Sequence, residues 1–373
     1  MKVNWRNIKW AGNSYAALYA ACELAGYELI PVDKPEGDIT LYSLNSVNSD
    51  HFSDEIRNAE CITIAGGPHP SADYKKFTGV ADYVVVGEAE YSLPALLKYL
   101  DPDDPADVLP AGVAAGDRYR EKDYCVIPDA YPPFTKIKGY VEISRGCPYG
   151  CAYCQTPRLF GRGIRHRSIE SIVRAASDYR DVRFISPNSL AYGSKTGTSP
   201  DYDKLEKLLS SFRSDQNVYL GTFPSEVRPE FVTEESLGLI AAYCSNKKIH
   251  FGAQSGSDRM LRKIRRGHTA EDVISAVKLC REFGFTPVVD YIIGLPGEEE
   301  EDQRETLEQI KWVCRYGKVH SHYFTPLSGT PFEGEKPAHL IPDANRILGK
   351  LSLNGKVTGY WSESGSRFFN QNK

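Results

Sequence analysis

Short apolar runs alternate with amphipathic, often glycine-ended segments along most of the 373-residue chain. In the first hundred residues the apolar runs fall at 28–32, 38–44, 61–65 and 83–86. Helical patterning lies between and after them, at 13–24, 54–59 and from 90 to 99, with Asn13 and Ser14 as predicted caps and Gly26 as a stop. Short strands that alternate with helices predict an α/β, doubly wound parallel sheet. A second alternation follows. Strands are expected at 140–144, 182–185, 217–221, 248–252, 287–293 and 319–324, and helices at 168–179, 204–212, 234–244, 269–283 and 302–316. Thr269 and Asp272 have the spacing of a capping box. Six strands joined by helices predict a partial (β/α)6 barrel, with functional residues at the carboxyl ends of its strands.

The stretch between the two alternations is rich in Pro, Asp and Ala and includes Asp129-Ala130-Tyr131-Pro132-Pro133, which cannot sustain a helix or a central strand. The expected organisation is therefore an α/β domain at 1–105, a linker at 106–135, a barrel at 136–335 and a C-terminal cap at 336–373 with a helix at 343–353. A net charge of −4, from 45 basic and 49 acidic residues, gives no signature of a dedicated nucleic-acid binder. No apolar run approaches the length of a membrane span, and the N-terminus has no signal-peptide pattern.

The most specific chemistry lies in Cys147-Pro148-Tyr149-Gly150-Cys151-Ala152-Tyr153-Cys154, directly after the first barrel strand. Three closely spaced thiolates can hold three irons of a cubane [4Fe-4S] cluster and leave the fourth open to an outside ligand. Buried structural thiols or part of a zinc site are the alternatives, but structural zinc normally takes four ligands and no matching pair follows. The other six cysteines, Cys22, Cys61, Cys125, Cys244, Cys280 and Cys314, are scattered and read mostly as small core residues. An odd count with an oxygen-sensitive cluster points to a reducing, cytoplasmic setting.

The C-x3-C-x2-C spacing, with Tyr153 just before the third cysteine, resembles the signature of the radical S-adenosylmethionine (radical SAM) superfamily. The resemblance implies that Cys147, Cys151 and Cys154 ligate the cluster and that SAM chelates the open iron. Reduction by an external donor such as flavodoxin or ferredoxin then cleaves SAM to a 5'-deoxyadenosyl radical. The loops at later strand ends supply expected SAM contacts: Tyr153, Asn188, Ser189, Ser225, Arg228, Gln254 and Arg266. The superfamily's Gly-Gly-Glu motif is absent after the second strand, where Asn188 and Ser189 stand instead.

Gly66-Gly67-Pro68-His69-Pro70-Ser71 and Val86-Gly87-Glu88-Ala89-Glu90 resemble the domain of Rossmann/flavodoxin-like fold that binds cobalamin in one subclass of the superfamily. By that resemblance Ser43, Leu44, Asn45, Gly66, Gly67, His69, Ser71, Gly87 and Glu88 approach cobalamin. The motif that provides cobalt's lower histidine, D-x-H-x-x-G, is missing; its place reads Ala11-Gly12-Asn13-Ser14-Tyr15, and His69 lies in a different loop. Cobalamin bound without a protein ligand, or a fold that has lost it, both fit this departure. The leading expectation is cobalamin-dependent C-methylation. Methylthiolation of tRNA or protein, suggested by Gln254-Ser255-Gly256-Ser257, comes second, together with cobalamin-free radical SAM chemistry on RNA, peptide or a small molecule, and a non-catalytic cluster protein third. Arg162, Arg165, His166 and Arg167 form a basic cluster, open to a phosphate or to carboxylate partners, and His320 and His322 share one strand face. None of these features chooses between a small molecule, a lipid, a peptide and RNA as substrate.

Overall fold

The computed structural model describes residues 1–363. In the N-terminal half, β1 (Val3–Arg6), β2 (Leu29–Val32), β3 (Ile39–Ser43), β4 (Ile62–Gly66) and β5 (Tyr83–Val85) form a parallel sheet in the order β2-β1-β3-β4-β5. That order reverses direction between β1 and β3, and in such sheets ligands bind at the carboxyl edge beside the reversal. β3 is central, so Ile39, Leu41 and Tyr42 are buried and both of its faces are apolar. The helix Gly12–Leu24 begins one residue before Asn13, so Asn13 is not its cap. Its Oδ1 instead accepts the Tyr140 N–H at 3.1 Å, a bond from the first helix to the second half of the chain.

Part of the stretch expected to be an extended linker is folded. β6 (Val113–Ala115) and β7 (Arg118–Arg120) form a hairpin that pairs antiparallel with β5. Val113 and Ala114 are fully buried, so this edge of the sheet is covered by the chain's own continuation. The alternation that marks a longer strand is too short here to stand out among the surrounding prolines and aspartates.

The second half contains β8 (Val141–Glu142), β9 (Ser144–Arg145), β10 (Arg165–His166), β11 (Asp181–Ile185), β12 (Asn217–Tyr219), β13 (Lys248–Gln254), β14 (Thr286–Ile293), β15 (Lys318–Tyr323) and β16 (Val357–Thr358). Two parallel sheets, β12-β11-β8 and β13-β14-β15-β16, meet through a bridge between Val227 and Phe251 and form an open barrel. β16 follows the helix Pro342–Leu353 and pairs parallel with β15, so the C-terminal stretch expected as a cap extends the barrel sheet; its last ten residues lie outside the described ones. Thr269 and Asp272 do make the expected capping box at the start of the helix Ala270–Glu282.

Alternation along the barrel strands separates two faces. Val182, Phe184, Val218, Leu220, Ile249 and Phe251 are buried in the core under the helices. Arg183, Tyr219, His250, Asp290 and His320 take the opposite face and line cavities of the lumen. A closed barrel fills its interior with branched apolar side chains. This open one keeps a polar interior.

The two halves are joined by a buried charge cluster. Arg145, 6% exposed, meets Glu90 at 2.6 Å, Glu142 at 2.7 Å and Glu88 at 3.1 Å. Arg165 pairs with Glu88 at 2.9 Å, and Arg167 with Glu142 at 2.9 Å. Burial opposes the charge on Glu90, but Arg145 overrides it and holds the carboxyl below its ordinary range. The basic segment at 162–167 is thus engaged within the protein: Arg167 is buried, Arg165 and His166 are half-buried with His166 held by Ser144 and the Ser194 carbonyl, and the exposed Arg162 donates to the Pro148 carbonyl. Replacing Arg145 by Met would leave Glu90 without a cation and take one partner each from Glu88 and Glu142, and should lower stability by roughly 3–5 kcal/mol, read from urea unfolding. A loss under about 1 kcal/mol would show that the cluster does not hold the halves together.

Candidate functional site

β9 and β10 form a two-stranded antiparallel ribbon whose ends frame the cysteine loop. Gly146 opens that loop at φ +84°, and a Cβ there would fall 2.1 Å from the Gly163 carbonyl oxygen, so the chain can turn into Cys147 only with glycine. The Cys147 N–H then bonds to Gly161 O at 3.1 Å, and the Cys154 N–H to Cys151 O at 3.2 Å. Burial pushes the Cys147 thiol above its ordinary pKa, and the neighbouring Cys154 and Cys151 push it further. Thiols in this setting ionise together only when a metal supplies compensating charge. Among the described residues no three His, Cys, Asp or Glu side chains close on a single ion. A cubane takes one thiolate per iron, so its ligands stand apart, and this loop fits such a group.

The expected SAM contacts divide into two sets. Asn188 is buried with neither Oδ1 nor Nδ2 partnered, and Ser186 Oγ two residues earlier is also unpartnered. Buried polar atoms without partners are costly, and these three leave hydrogen-bonding capacity open in the loop after β11. Gln254 ends β13 at φ +71°, a strained position for a side chain with a Cβ, and it faces the cavity at the barrel mouth with Tyr153. Arg266 donates to Gly252 O at 3.0 Å and lies 3.9 Å from Cys151 Sγ; Tyr153 and Cys151 hold it charged against the cost of burial. Ser189, Ser225 and Arg228 are engaged within the protein. Ser189 Oγ donates to Ser225 O, and Ser225 Oγ to Thr222 O. Arg228 pairs with Glu230, donates to the Arg266 carbonyl and covers the Tyr149 ring at 3.5 Å, which braces the cysteine loop from behind.

The mouth cavity, about 380 Å3, is walled by Tyr153, Glu226, Gln254, Asp290, His320 and His322 together with Ile292, Phe324 and Leu327. Sequence reasoning did not single out Glu226 and Asp290 as a pair. Glu226 is buried beside Asp290, and burial first, then the Asp290 charge, pushes its carboxyl up to about 8. Asp290 Oδ1 faces His320 Nδ1 at 3.1 Å, while Oδ2 has no donor other than a proton carried by Glu226. His320 in turn packs edge-on against His322, with ring centroids 4.3 Å apart. The signal was present as an inward position on β14 beside the inward histidines of β15, but the partner 64 positions earlier is invisible to periodicity.

A second cleft, about 280 Å3, opens between the sheet edge of the first half and the barrel. Ser43, Gly67, Gly87 and Glu88 line it from one side, and Tyr140, Glu142, Arg145, Leu159, Phe160 and Ile185 from the other. Leu44, Asn45, Gly66, His69 and Ser71 are not among its walls. Asn45 closes its own turn with Asn48, Ser71 Oγ accepts the Gly87 N–H, and Gly67 lets the chain pass close to Leu44 O, which a Cβ would meet at 2.5 Å. His69 Nδ1 lies 2.9 Å from Ser328 Oγ and 3.1 Å from Ser46 Oγ, bridging the two halves, and burial lowers its pKa. No imidazole lines the cleft.

The Radical SAM superfamily pattern matches residues 141–310. A tRNA-2-methylthio-N(6)-dimethylallyladenosine synthase of Pelobacter propionicus is 31% identical over 230 residues, 58% of this chain and 50% of that protein. The chain thus spans about half the length of the curated relatives it matches. In overall fold it is similar to TsrM, a radical S-adenosylmethionine methyltransferase of Kitasatospora setae solved with cobalamin and a [4Fe-4S] cluster (TM-score 0.67, 15% identity, 89% of this chain and 74% of that one). OxsB, a cobalamin-dependent S-adenosylmethionine radical enzyme, is also similar (TM-score 0.61, 19% identity, 95% of this chain and 55% of that one). No helix among the described residues is long and apolar enough to cross a membrane.

Glu226 gives the site a pH signature. Its folded-state value of about 8 lies above the ordinary carboxyl range, so the stability held by its neutral form is complete at low pH and is lost as pH rises through about 8. Glu298, also pushed up to about 8, contributes in the same window. Glu226→Gln should therefore melt at the same temperature as the parent near pH 4 and higher than it at pH 9. Parallel curves across that range would show that Glu226 titrates alike in the folded and unfolded chain, with no upward shift.

Proposed function

Because residues 141–310 form a radical SAM domain, we propose that this protein is a cobalamin-dependent radical SAM enzyme that methylates a carbon atom of its substrate. One observation carries this reading: the cysteine loop and the short helix that follows it, Thr156–Leu159, together touch both cavities. Tyr153 walls the barrel mouth, and Leu159 and Phe160, five and six residues beyond Cys154, wall the cleft against the first half. When bound, the cluster supplies the electron that splits SAM, and cobalamin supplies a methyl carrier.

Cys147, Cys151 and Cys154 would hold the cluster. Ser186 and Asn188 would satisfy their unpartnered atoms on SAM's polar groups, and Arg266 keeps positive charge beside the Cys151 thiolate. Ile292, Phe324 and Leu327 narrow the mouth and restrict water. Glu226 holds a proton beside Asp290 at the cavity wall, where a reacting group could take it up. An external one-electron donor completes the requirement.

For cobalamin the chemistry of the cleft fits a corrin bound without an imidazole from the protein, since its described walls are apolar side chains, glycines, carboxylates, Arg145 and small polar groups, with no histidine. Its size requires opening: 280 Å3 lies just below the roughly 300–1,000 Å3 typical of pockets for ordinary small ligands, and a corrin is large. Methylthiolation, the activity in the names of the curated relatives, is the second reading. It calls for a second thiol-held cluster in the first half. Cys22 is fully buried in a helix, Cys61 donates to Thr40 Oγ1, and Cys125 is exposed beyond β7, so these three give that reading no support.

The test is a titration of the cluster-reconstituted chain with hydroxocobalamin and methylcobalamin under anaerobic conditions, followed by desalting. The proposal expects near-stoichiometric retention and a spectrum without a lower nitrogen ligand. Complete loss on desalting would reject the cobalamin-dependent reading in favour of cobalamin-free radical chemistry.

A further inference from the structure

Below the mouth the lumen continues into a cavity of about 520 Å3 walled by Tyr140, Arg183, Tyr219, Phe223, Lys248 and His250, with Lys247 at its rim. Phe223, 61% exposed, lines this cavity and the mouth cavity alike, so the two adjoin across its ring. The charge here is one-sided. Arg183 donates to Thr222 Oγ1 at 3.3 Å and lies over the Tyr219 ring at 4.3 Å, but among the described residues neither it nor Lys247 nor Lys248 has a carboxylate partner. Asp181, two residues before Arg183 on the same strand face, is engaged by Asn217 Nδ2 at 2.7 Å. Elsewhere the chain pairs its inward arginines closely, as at Arg145, Arg165 and Arg167. Three cations left without acids around one cavity, in a chain of net charge −4, mark a place for an anion.

The geometry points to Arg183, Lys248 and His250, with Lys247 at the rim, as the recognition subsite for the anionic end of the substrate: a small organic carboxylate or phosphate ester with a planar unsaturated body. A guanidinium suits either head group because its fork binds two oxygens at once. Tyr140 and Phe223 offer ring faces and edges to a flat body. The opposite wall of the mouth holds the Glu226–Asp290 pair, so a bound molecule would span the lumen with its charge at the basic end and its other end near the cysteine loop. Both cavities have the volumes of small-ligand pockets, about 300–1,000 Å3, and this favours a small molecule over a polymer. The inference rests on the barrel being the catalytic unit, but not on cobalamin.

Calorimetric titration of the cluster-reconstituted full chain with phenyl phosphate, benzoate and benzyl alcohol tests it. At least one of the two anions should bind ten-fold or more tighter than the alcohol, and the tighter one identifies the head group. Lys248→Gln, at an exposed position where folding is not at risk, and Arg183→Gln should each weaken that anion five-fold or more and leave benzyl alcohol unaffected; Arg183→Lys should recover part of the loss. Equal binding of anion and alcohol, or unaltered anion binding by Lys248→Gln and Arg183→Gln, would overturn the assignment. So would a short single-stranded RNA that binds ten-fold tighter than phenyl phosphate. Failure of cobalamin retention with this pattern intact would remove methylation and leave the anion subsite standing, and the converse would do the opposite.

Discussion

The buried guanidinium of Arg145 is the constraint on which the rest of the arrangement depends. It stands at the end of β9, one residue before the glycine that turns the chain into the cysteine loop. Its partners Glu88 and Glu90 come from the loop after β5 in the other half, and Glu142 from the first barrel strand. A buried charge without partners is so unfavourable that the two halves and the cysteine loop are held in one mutual placement. The same placement puts the cysteine loop against the mouth cavity and the short helix after it against the cleft. The charges that join the halves therefore also position the chemistry.

Function follows from the openness of the barrel. A sheet that does not close leaves its inward positions exposed to a lumen, and the sequence fills them with charge and aromatic rings instead of branched aliphatics. Along that lumen lie, among the described residues, cations without carboxylate partners at one end, a carboxyl pair and two imidazoles packed edge-on at the other, and the thiol loop above. The flavodoxin-like half meets the same loop with the carboxyl edge of its sheet, where doubly wound sheets bind ligands.

Much of this was legible in the sequence because it is local. The cysteine spacing, the capping box of Thr269 and Asp272 and the alternating strands are each written within a few residues, and the observed elements sit within a few positions of those expected. The hairpin of β6 and β7 was hidden because strands of three residues leave almost no period. Glu226 and Asp290, Arg145 and its three glutamates, and His69 with Ser328 depend on residues far apart in the chain, and only the fold brings them together. Asn188 was legible as a residue at a strand end. The lack of a hydrogen-bond partner for its buried amide belongs to the structure alone.

The most direct test of the account is reductive cleavage of SAM. The chain, reconstituted with iron and sulfide under anaerobic conditions and reduced with dithionite, should convert SAM to 5'-deoxyadenosine and methionine, and Cys154→Ala should reduce this to the level of a protein-free control. A reconstituted, fully reduced protein that forms no 5'-deoxyadenosine above that control would contradict the assignment of the cysteine loop as a radical-generating centre.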